Sequence, residues 1–222
     1  MKSIAARLLT IAAILGFLAL GVWQVERLQW KRELIRQVEA KLAAAPVPAP
    51  PATYRAGKAD TYTRVVARGQ WLPGHDAYVQ AVTALGGGYW VMTPLDTPHG
   101  RIIINRGFVP NDMRGRAPAA SGAASVTGLL RLNEPGGGFL RANDPAADRW
   151  YSRDVTAIAA ARGLGPVAPW FIDAGANGDA WPRGGLTIVT FRNSHLSYAL
   201  TWFAMAALLA VLAWRAWRKG AG

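Results

Sequence analysis

Three histidines and no cysteine leave this 222-residue chain few side chains for metal or nucleophilic chemistry. Without a thiol, disulfide frameworks, thiolate nucleophiles, cysteine-ligated zinc, iron–sulfur clusters and thioether-linked haem are all excluded. His75 follows Pro73–Gly74 and His99 lies between Pro98 and Gly100, turn settings in which an imidazole is ordinarily solvated. His195 is different in kind. It stands in NSHLSYALTW, at the head of a long apolar segment, where a titratable side chain is costly unless it is paired or functional. At helical spacing His195, either Tyr198 or Ala199, and Trp202 share one face, so an imidazole, an indole and, in one of the two cases, a phenol would line a single groove. A neutral imidazole is a good ligand for haem iron, and a flat aromatic ring stacks on a porphyrin. The same pattern also fits an interfacial histidine that bonds to lipid headgroups or caps its helix. The residues alone leave both readings open.

Other catalytic patterns are missing. The chain has no G-x-S-x-G elbow, H-E-x-x-H pair, P-loop or dinucleotide fingerprint. The carboxylates Asp144 and Asp148 belong to an NDPAAD turn, where capping is the expected role. The protein is not expected to be an enzyme.

The elements that must position His195 are apolar. Residues 196–214, LSYALTWFAMAALLAVLAW, run nineteen positions without a charge, enough for a membrane span. A second such segment covers 4–23, interrupted only by Arg7, which can snorkel to the interface. Lys2 and Arg7 resemble the basic start of a signal peptide. The long apolar run without an A-x-A cleavage site favours a retained anchor instead. Arg215, Arg218 and Lys219 after the last span place the C-terminus in the cytoplasm. Two spans then return the N-terminus to the same side, with the central part outside. Arg27, Lys31, Arg32 and Arg36 oppose this orientation, but the charge rule weakens for a long translocated domain.

Between the spans, residues 24–44 are rich in helix formers and read as a helical stalk, and 45–52, with its prolines, as a short extended linker. An extracytoplasmic β-rich domain is expected over 53–194. Strand patterns occupy 61–72, 76–82, 88–95, 101–109, 124–132 and 168–174, with a further one at 186–191. Pro73–Gly74, Gly86–Gly88, Pro98–Gly100 and Gly136–Gly138 are expected to form hairpin turns, which favours antiparallel pairing. Residues 114–125 read as an exposed loop. One short helix should begin at the N-cap Asp154 and end at Gly163. The fold class is therefore a membrane protein of α+β type, with two transmembrane helices flanking a mainly antiparallel domain that carries a short helix.

Charge narrows the partners. The formal net charge is +12, and residues 24–195 hold 20 basic against 13 acidic side chains. Nucleic acid is a poor candidate for a module outside the cytoplasm without a helix-turn-helix or RNA-binding pattern. Lipid headgroups, propionates or an acidic partner suit it better, and the arginine-rich composition of a high-GC genome is the plain alternative.

Five blocks then fall in a recognisable order: LGVWQVERLQWKRELI, into which the first span runs, INRGFVP, NDPAADRWYSRD with a helix behind it, WFIDA, and NSHLSYALTWF opening the last span. This order resembles the surfeit locus protein 1 (Surf/Shy) family of cytochrome c oxidase assembly factors, with W-Q-x-x-R and H-L-S-Y-A-L-T-W as its most specific parts. Phe108 departs conservatively from the tryptophan that the family commonly has after Arg-Gly. The resemblance implies an inner-membrane chaperone of respiratory complex IV biogenesis that assists assembly of oxidase subunit I at the delivery of haem a. Copper-delivery factors and haem a synthase are implied as further partners. On this view His195 is the axial ligand of a carried haem a, Trp202 and Tyr198 pack on the macrocycle, and Gln24 and Arg27 face the same groove toward propionates. Arg27 as a snorkelling anchor is equally compatible, and Arg106 in INRGFVP is read as a strand-end surface charge or a partner contact. The rival role is a membrane adaptor that stabilises apo subunit I without touching haem. The proline-rich stretch and the lack of an N-terminal targeting extension look bacterial.

The orientation is testable. Alkaline phosphatase fused after Ala120 should be active and a fusion after Gly220 inactive; the reverse pattern would place the central domain in the cytoplasm.

Overall fold

The computed structural model describes residues 2–138, 140–187 and 193–219. Its elements are α1 (Lys2–Ala43), β1 (Val47–Pro48), β2 (Arg64–Trp71), β3 (Ala77–Thr83), β4 (Gly86–Thr97), β5 (Gly100–Pro110), β6 (Ala123–Leu132), α2 (Val155–Ala161), β7 (Val167–Ala174) and α3 (His195–Lys219). They form two compact units, one made by Met1–Glu39 with Val189–Gly222 and the other by Ala40–Ile188.

In the helical unit, α1 and α3 are each long and apolar enough to cross a membrane. No glycine or proline interrupts α1 between Gln24 and Ala43, so the helix runs on far past its apolar segment. The buried positions repeat at helix-pair spacing: Gly21, Gln24 and Leu28 on α1, and Ala199, Ala206 and Ala213 on α3. A repeat of seven on α3, filled by alanine, lets two helix backbones approach closely, as membrane helix pairs commonly do. Gly21 is part of the same fit, since a Cβ added there would lie 2.4 Å from the Phe203 ring.

The other unit is built on a seven-stranded sheet in the order β1-β2-β6-β7-β5-β4-β3. Pairing of Gln70 and Trp71 on β2 with Asp96 and Leu95 on β4 closes β2, β6, β7, β5 and β4 into a ring. Hairpins connect β3 to β4 and β4 to β5, and these pairs are antiparallel, as are β2–β6 and β6–β7. Two pairs, β1–β2 and β5–β7, run parallel, which the short spacing of turn signals did not suggest. The chain reaches β7 from β5 through β6 and α2, so the parallel pair has the long crossover that such a pair requires.

Two apolar clusters lie on the sheet's two sides. One draws on all five strands of the ring and includes Val65, Leu95, Ile102, Ile104, Leu130, Trp170 and Ile172. The other packs Val79, Met92, Ile103 and Phe171 against Trp150 and Val155, Ile158 and Ala159 of α2. Successive residues of a strand face opposite ways, so Ile102, Ile103 and Ile104 are all buried because both sides of β5 are covered. This explains why β5 and β7 read as unbroken apolar runs in the sequence. Asp154 caps α2 by accepting a hydrogen bond from the Ala157 amide at 3.2 Å, and Gly163 follows with φ +63.

Three local expectations are corrected. Residues 45–52 are extended but do not hang free: Val47 and Pro48 form β1, and the amides of Ala49 and Ala52 donate to the carbonyls of Val66 and His99. The first hairpin turns at Ala84–Leu85, while Gly86, Gly87 and Gly88 begin β4. Gly88 is required in the strand because a Cβ there would meet the Val109 carbonyl oxygen at 2.2 Å. The loop expected at 114–125 ends early, with β6 starting at Ala123 and Ala120 buried. Of the strand expected at 186–191, residues 188–191 lie outside the described residues.

The INRGF block owes its form to a β-bulge. Val91 pairs with Gly107 and Met92 with Asn105, leaving Arg106 as the extra residue. Gly107 has φ +133, and a Cβ on it would lie 2.3 Å from the Arg183 carbonyl. Its neighbour Phe108 exchanges two backbone hydrogen bonds with Arg183, at 2.9 and 2.8 Å. Gly107→Ala should therefore cost about 3 kcal/mol in thermal unfolding through strain and overlap. Gly74→Ala, at φ +80 but in open space, should cost about 1 kcal/mol. Equal melting temperatures for the two variants would refute the bulge as a constraint.

Candidate functional site

The helical unit brings two of the sequence-derived site residues into direct contact. His195 Nδ1 lies 2.7 Å from Gln24 Oε1, joining the first residue of α3 to a buried position of α1. An amide oxygen only accepts, so Nδ1 is the donor of this contact, and in the neutral ring that leaves Nε2 with its lone pair. That is the tautomer a metal-binding imidazole needs when its other nitrogen is held by a second group.

Trp202, two turns further along α3, stacks on Phe17 of α1 with ring centroids 5.7 Å apart and planes 25° from parallel. Ala199, buried, occupies the face between His195 and Trp202, while Tyr198 is 55% exposed and points away from the helix pair. Arg27 is exposed and lies over Trp30 of its own helix at 3.9 Å, one turn from Gln24. A cation held on an indole near a helix's exit from the apolar stretch suits an interfacial anchor, and among the described residues no carboxylate pairs with its guanidinium edge. Phe17, which the sequence did not single out, is recognisable only by its spacing of seven from Gln24.

A haem group would require from this unit an imidazole with a free nitrogen and a cation for its propionates. The tautomer fixed by Gln24 satisfies the first and Arg27 is available for the second. Among the described residues, no group of three or more histidines and carboxylates could hold a bare metal ion.

The β-rich unit has a polar centre that sequence reading did not find. Asp173, near the end of β7, is 2% exposed and accepts four groups: Asn105 Nδ2 at 2.8 Å, Arg131 Nη1 at 2.9 Å, Arg153 Nη1 at 3.0 Å and Thr187 Oγ1 at 2.9 Å. Arg153 also grips Glu134 through Nε at 3.0 Å and Nη2 at 2.6 Å, and its guanidinium lies over the Phe171 ring at 4.9 Å. Burial by itself would lower the Arg153 pKa, but the carboxylates of Asp173 and Glu134 outweigh it and raise the pKa. The guanidinium is thus locked in its charged form. The signal was present in the sequence as Asn105 of INRGFVP, Arg153 of WYSRD and Asp173 of WFIDA, but nothing in their spacing says that three separate strands and loops converge.

Arg106 is not the surface charge expected as one of its two readings. Its Nη2 donates to the Pro118 carbonyl at 2.7 Å, its Nη1 is 4.0 Å from Asp76, and burial lowers its pKa. The turn carboxylates behave as caps and anchors: Asp144 accepts from the Ala147 amide at 3.1 Å, and Asp148 from Trp150 Nε1 at 2.7 Å.

Two apolar helices of spanning length, enclosing in sequence a ring-closed β-rich domain and meeting at a histidine–glutamine contact, define a membrane protein with a single folded module. The chain belongs to the SURF1 family, whose model matches residues 11–207. It is 32% identical over 219 residues to Surfeit locus protein 1 of Rattus norvegicus, covering 88% of this chain and 70% of the relative. To Surfeit locus protein 1 of Homo sapiens it is 32% identical over 225 residues, 90% and 74% of the two chains. The SURF1-like protein of Monosiga brevicollis is 35% identical over 211 residues, 85% and 78%.

The polar centre predicts an asymmetric response to charge removal. Asp173→Asn keeps the shape but leaves two half-buried guanidinium groups sharing only Glu134, so chemical denaturation should show a loss of about 3 kcal/mol. Glu134→Gln, at a more exposed site, should lose about 1 kcal/mol.

Proposed function

We propose that this protein is an assembly factor for haem–copper cytochrome c oxidase, the role for which the SURF1 family is known. It acts without catalysing a reaction, in a bacterial inner membrane, with both termini cytoplasmic and the central module periplasmic. Its task is to assist delivery of haem a to subunit I. Haem a synthase and copper-delivery factors act beside it.

The observation that carries this reading is the His195–Gln24 hydrogen bond of 2.7 Å. Gln24 holds the imidazole by Nδ1, which fixes its ring and leaves Nε2 as the nitrogen that would hold haem iron. Haem a, when bound, would supply the iron that takes this nitrogen. Arg27, whose guanidinium face rests on Trp30, would hold a propionate with its fork. Tyr198, exposed on α3, offers a ring to the outer side of the helix pair.

One observation favours the adaptor alternative, in which the helices hold apo subunit I and never meet haem. Trp202, which would pack on the macrocycle, is already stacked on Phe17. Aromatic stacking of this kind is worth about 1 kcal/mol, so a porphyrin has to compete for the ring.

The two roles separate on co-expression with haem a synthase. If iron is ligated at Nε2, purified His195→Ala should lose or shift its Soret band while still inserting in the membrane, because alanine is well tolerated in a helix. Gln24→Leu should keep the ligand but weaken haem retention about 10-fold or more through the freed Nδ1. An unchanged spectrum and occupancy in His195→Ala would defeat the ligand role. If the parent protein never carries haem, yet His195→Ala still loses oxidase assembly, the adaptor role stands.

A further inference from the structure

On the β-rich unit, β3 and β4 carry an unusual set of side chains on one side. Tyr78 and Tyr89 stand edge to face with ring centroids 6.4 Å apart. Beside them, Arg114 lies over the Tyr89 ring at 5.1 Å and Arg141 over the Tyr151 ring at 5.6 Å. Together with Arg149 these groups line a cavity of about 100 Å³. That is room for about three waters, or for one carboxylate or phosphate group.

The charges there are not balanced from within. Arg149 is paired with Asp144, and the Asp148 carboxylate is taken by Arg162 and Trp150. Arg114 donates to a backbone carbonyl, that of Asp148, at 2.9 Å. Among the described residues neither Arg114 nor Arg141 has a carboxylate partner, so two cations face the cavity held in place by aromatic rings. Guanidinium groups preset in this way bind an oxyanion without first losing much side-chain freedom.

The surroundings decide which oxyanion. Arg141, Tyr151 and Gln80 also border an adjoining shallow hollow formed with Val82 and Leu140. Those two apolar residues are 88% and 86% exposed. The hollow follows the outer edge of β3, where the Gln80 amide donates to the Trp150 carbonyl at 2.8 Å. Val82, two residues on, presents its backbone groups on the same edge, with no hydrogen-bond partner there among the described residues. An unpaired strand edge accepts an extended peptide, and alternate side chains of such a peptide then fall into neighbouring pockets.

We propose that this surface binds a protein partner through an extended segment that pairs with β3 at Val82, rests an apolar side chain on Val82 and Leu140, and places a glutamate or aspartate carboxylate between Arg114 and Arg141. It is a peptide-docking site independent of any haem carried by the helices. A membrane surface shares the attraction to arginine but makes no use of the strand edge.

The test uses full-length protein in detergent and fluorescence anisotropy of a dye-labelled Val-Thr-Glu-Val-Thr-Val peptide, beside the same peptide with glutamine for glutamate. The acidic peptide should bind about 10-fold more tightly, the worth of one charge-assisted pair. The double variant Arg114→Gln/Arg141→Gln should abolish that preference and leave the glutamine peptide unaffected. Val82→Pro should weaken both peptides alike by removing the edge amide. If the double variant does not fold by circular dichroism, Arg141→Gln alone must still reduce the preference. Equal affinity for the two peptides, or a preference that survives in the arginine variants, would overturn the proposal. So would tighter binding to phosphatidylglycerol vesicles that depends on the same arginines and not on Val82, which would make the surface a lipid contact.

Discussion

A carboxylate that is 2% exposed cannot stay charged without partners, and the architecture of the β-rich unit follows from how Asp173 is supplied with them. Its four donors come from β5, from β6, from the segment before α2 and from the segment after β7. Each donor reaches Asp173 only if its backbone is in the right register. The bulge at Arg106 is part of this arrangement: it turns Asn105 so that Nδ2 meets Asp173 while Oδ1 accepts from the Gly107 amide at 3.1 Å. The ring of strands and the polar centre thus specify each other, one by apolar packing and one by charge.

Most of the strands were legible in the sequence because each is a β-branched or aromatic run ended by glycine or proline, and α2 because Asp154 and Gly163 mark its two ends. Parallel pairing was not legible. It depends on which distant segments meet, and the continuous runs at 102–104 and 170–172 indicate burial on both sides without naming the neighbour. The proline stretch misled for a related reason: proline forbids a helix there but says nothing about docking at a sheet edge, where its missing amide is harmless.

Within the candidate site, helical periodicity was enough to associate His195 with Trp202, and it left Tyr198 and Ala199 as alternatives that burial now separates. The partner of His195 was a different problem. Gln24 is 171 positions away, and only the packing of α1 on α3 brings them together. The arginines divide in the same way. Arg27 behaves as its local setting suggests, whereas Arg106 is half-buried at a bulge that no spacing rule reveals.

The hydrogen bond between Gln24 and His195 also makes proton position a readout of helix pairing. While the two helices touch, the amide oxygen selects one of the two neutral forms of the imidazole. If they part, the ring is free to rotate and to exchange its proton between nitrogens, and the selection is lost. The nitrogen that the imidazole presents at the rim of the helix pair is therefore conditional on the contact between α1 and α3.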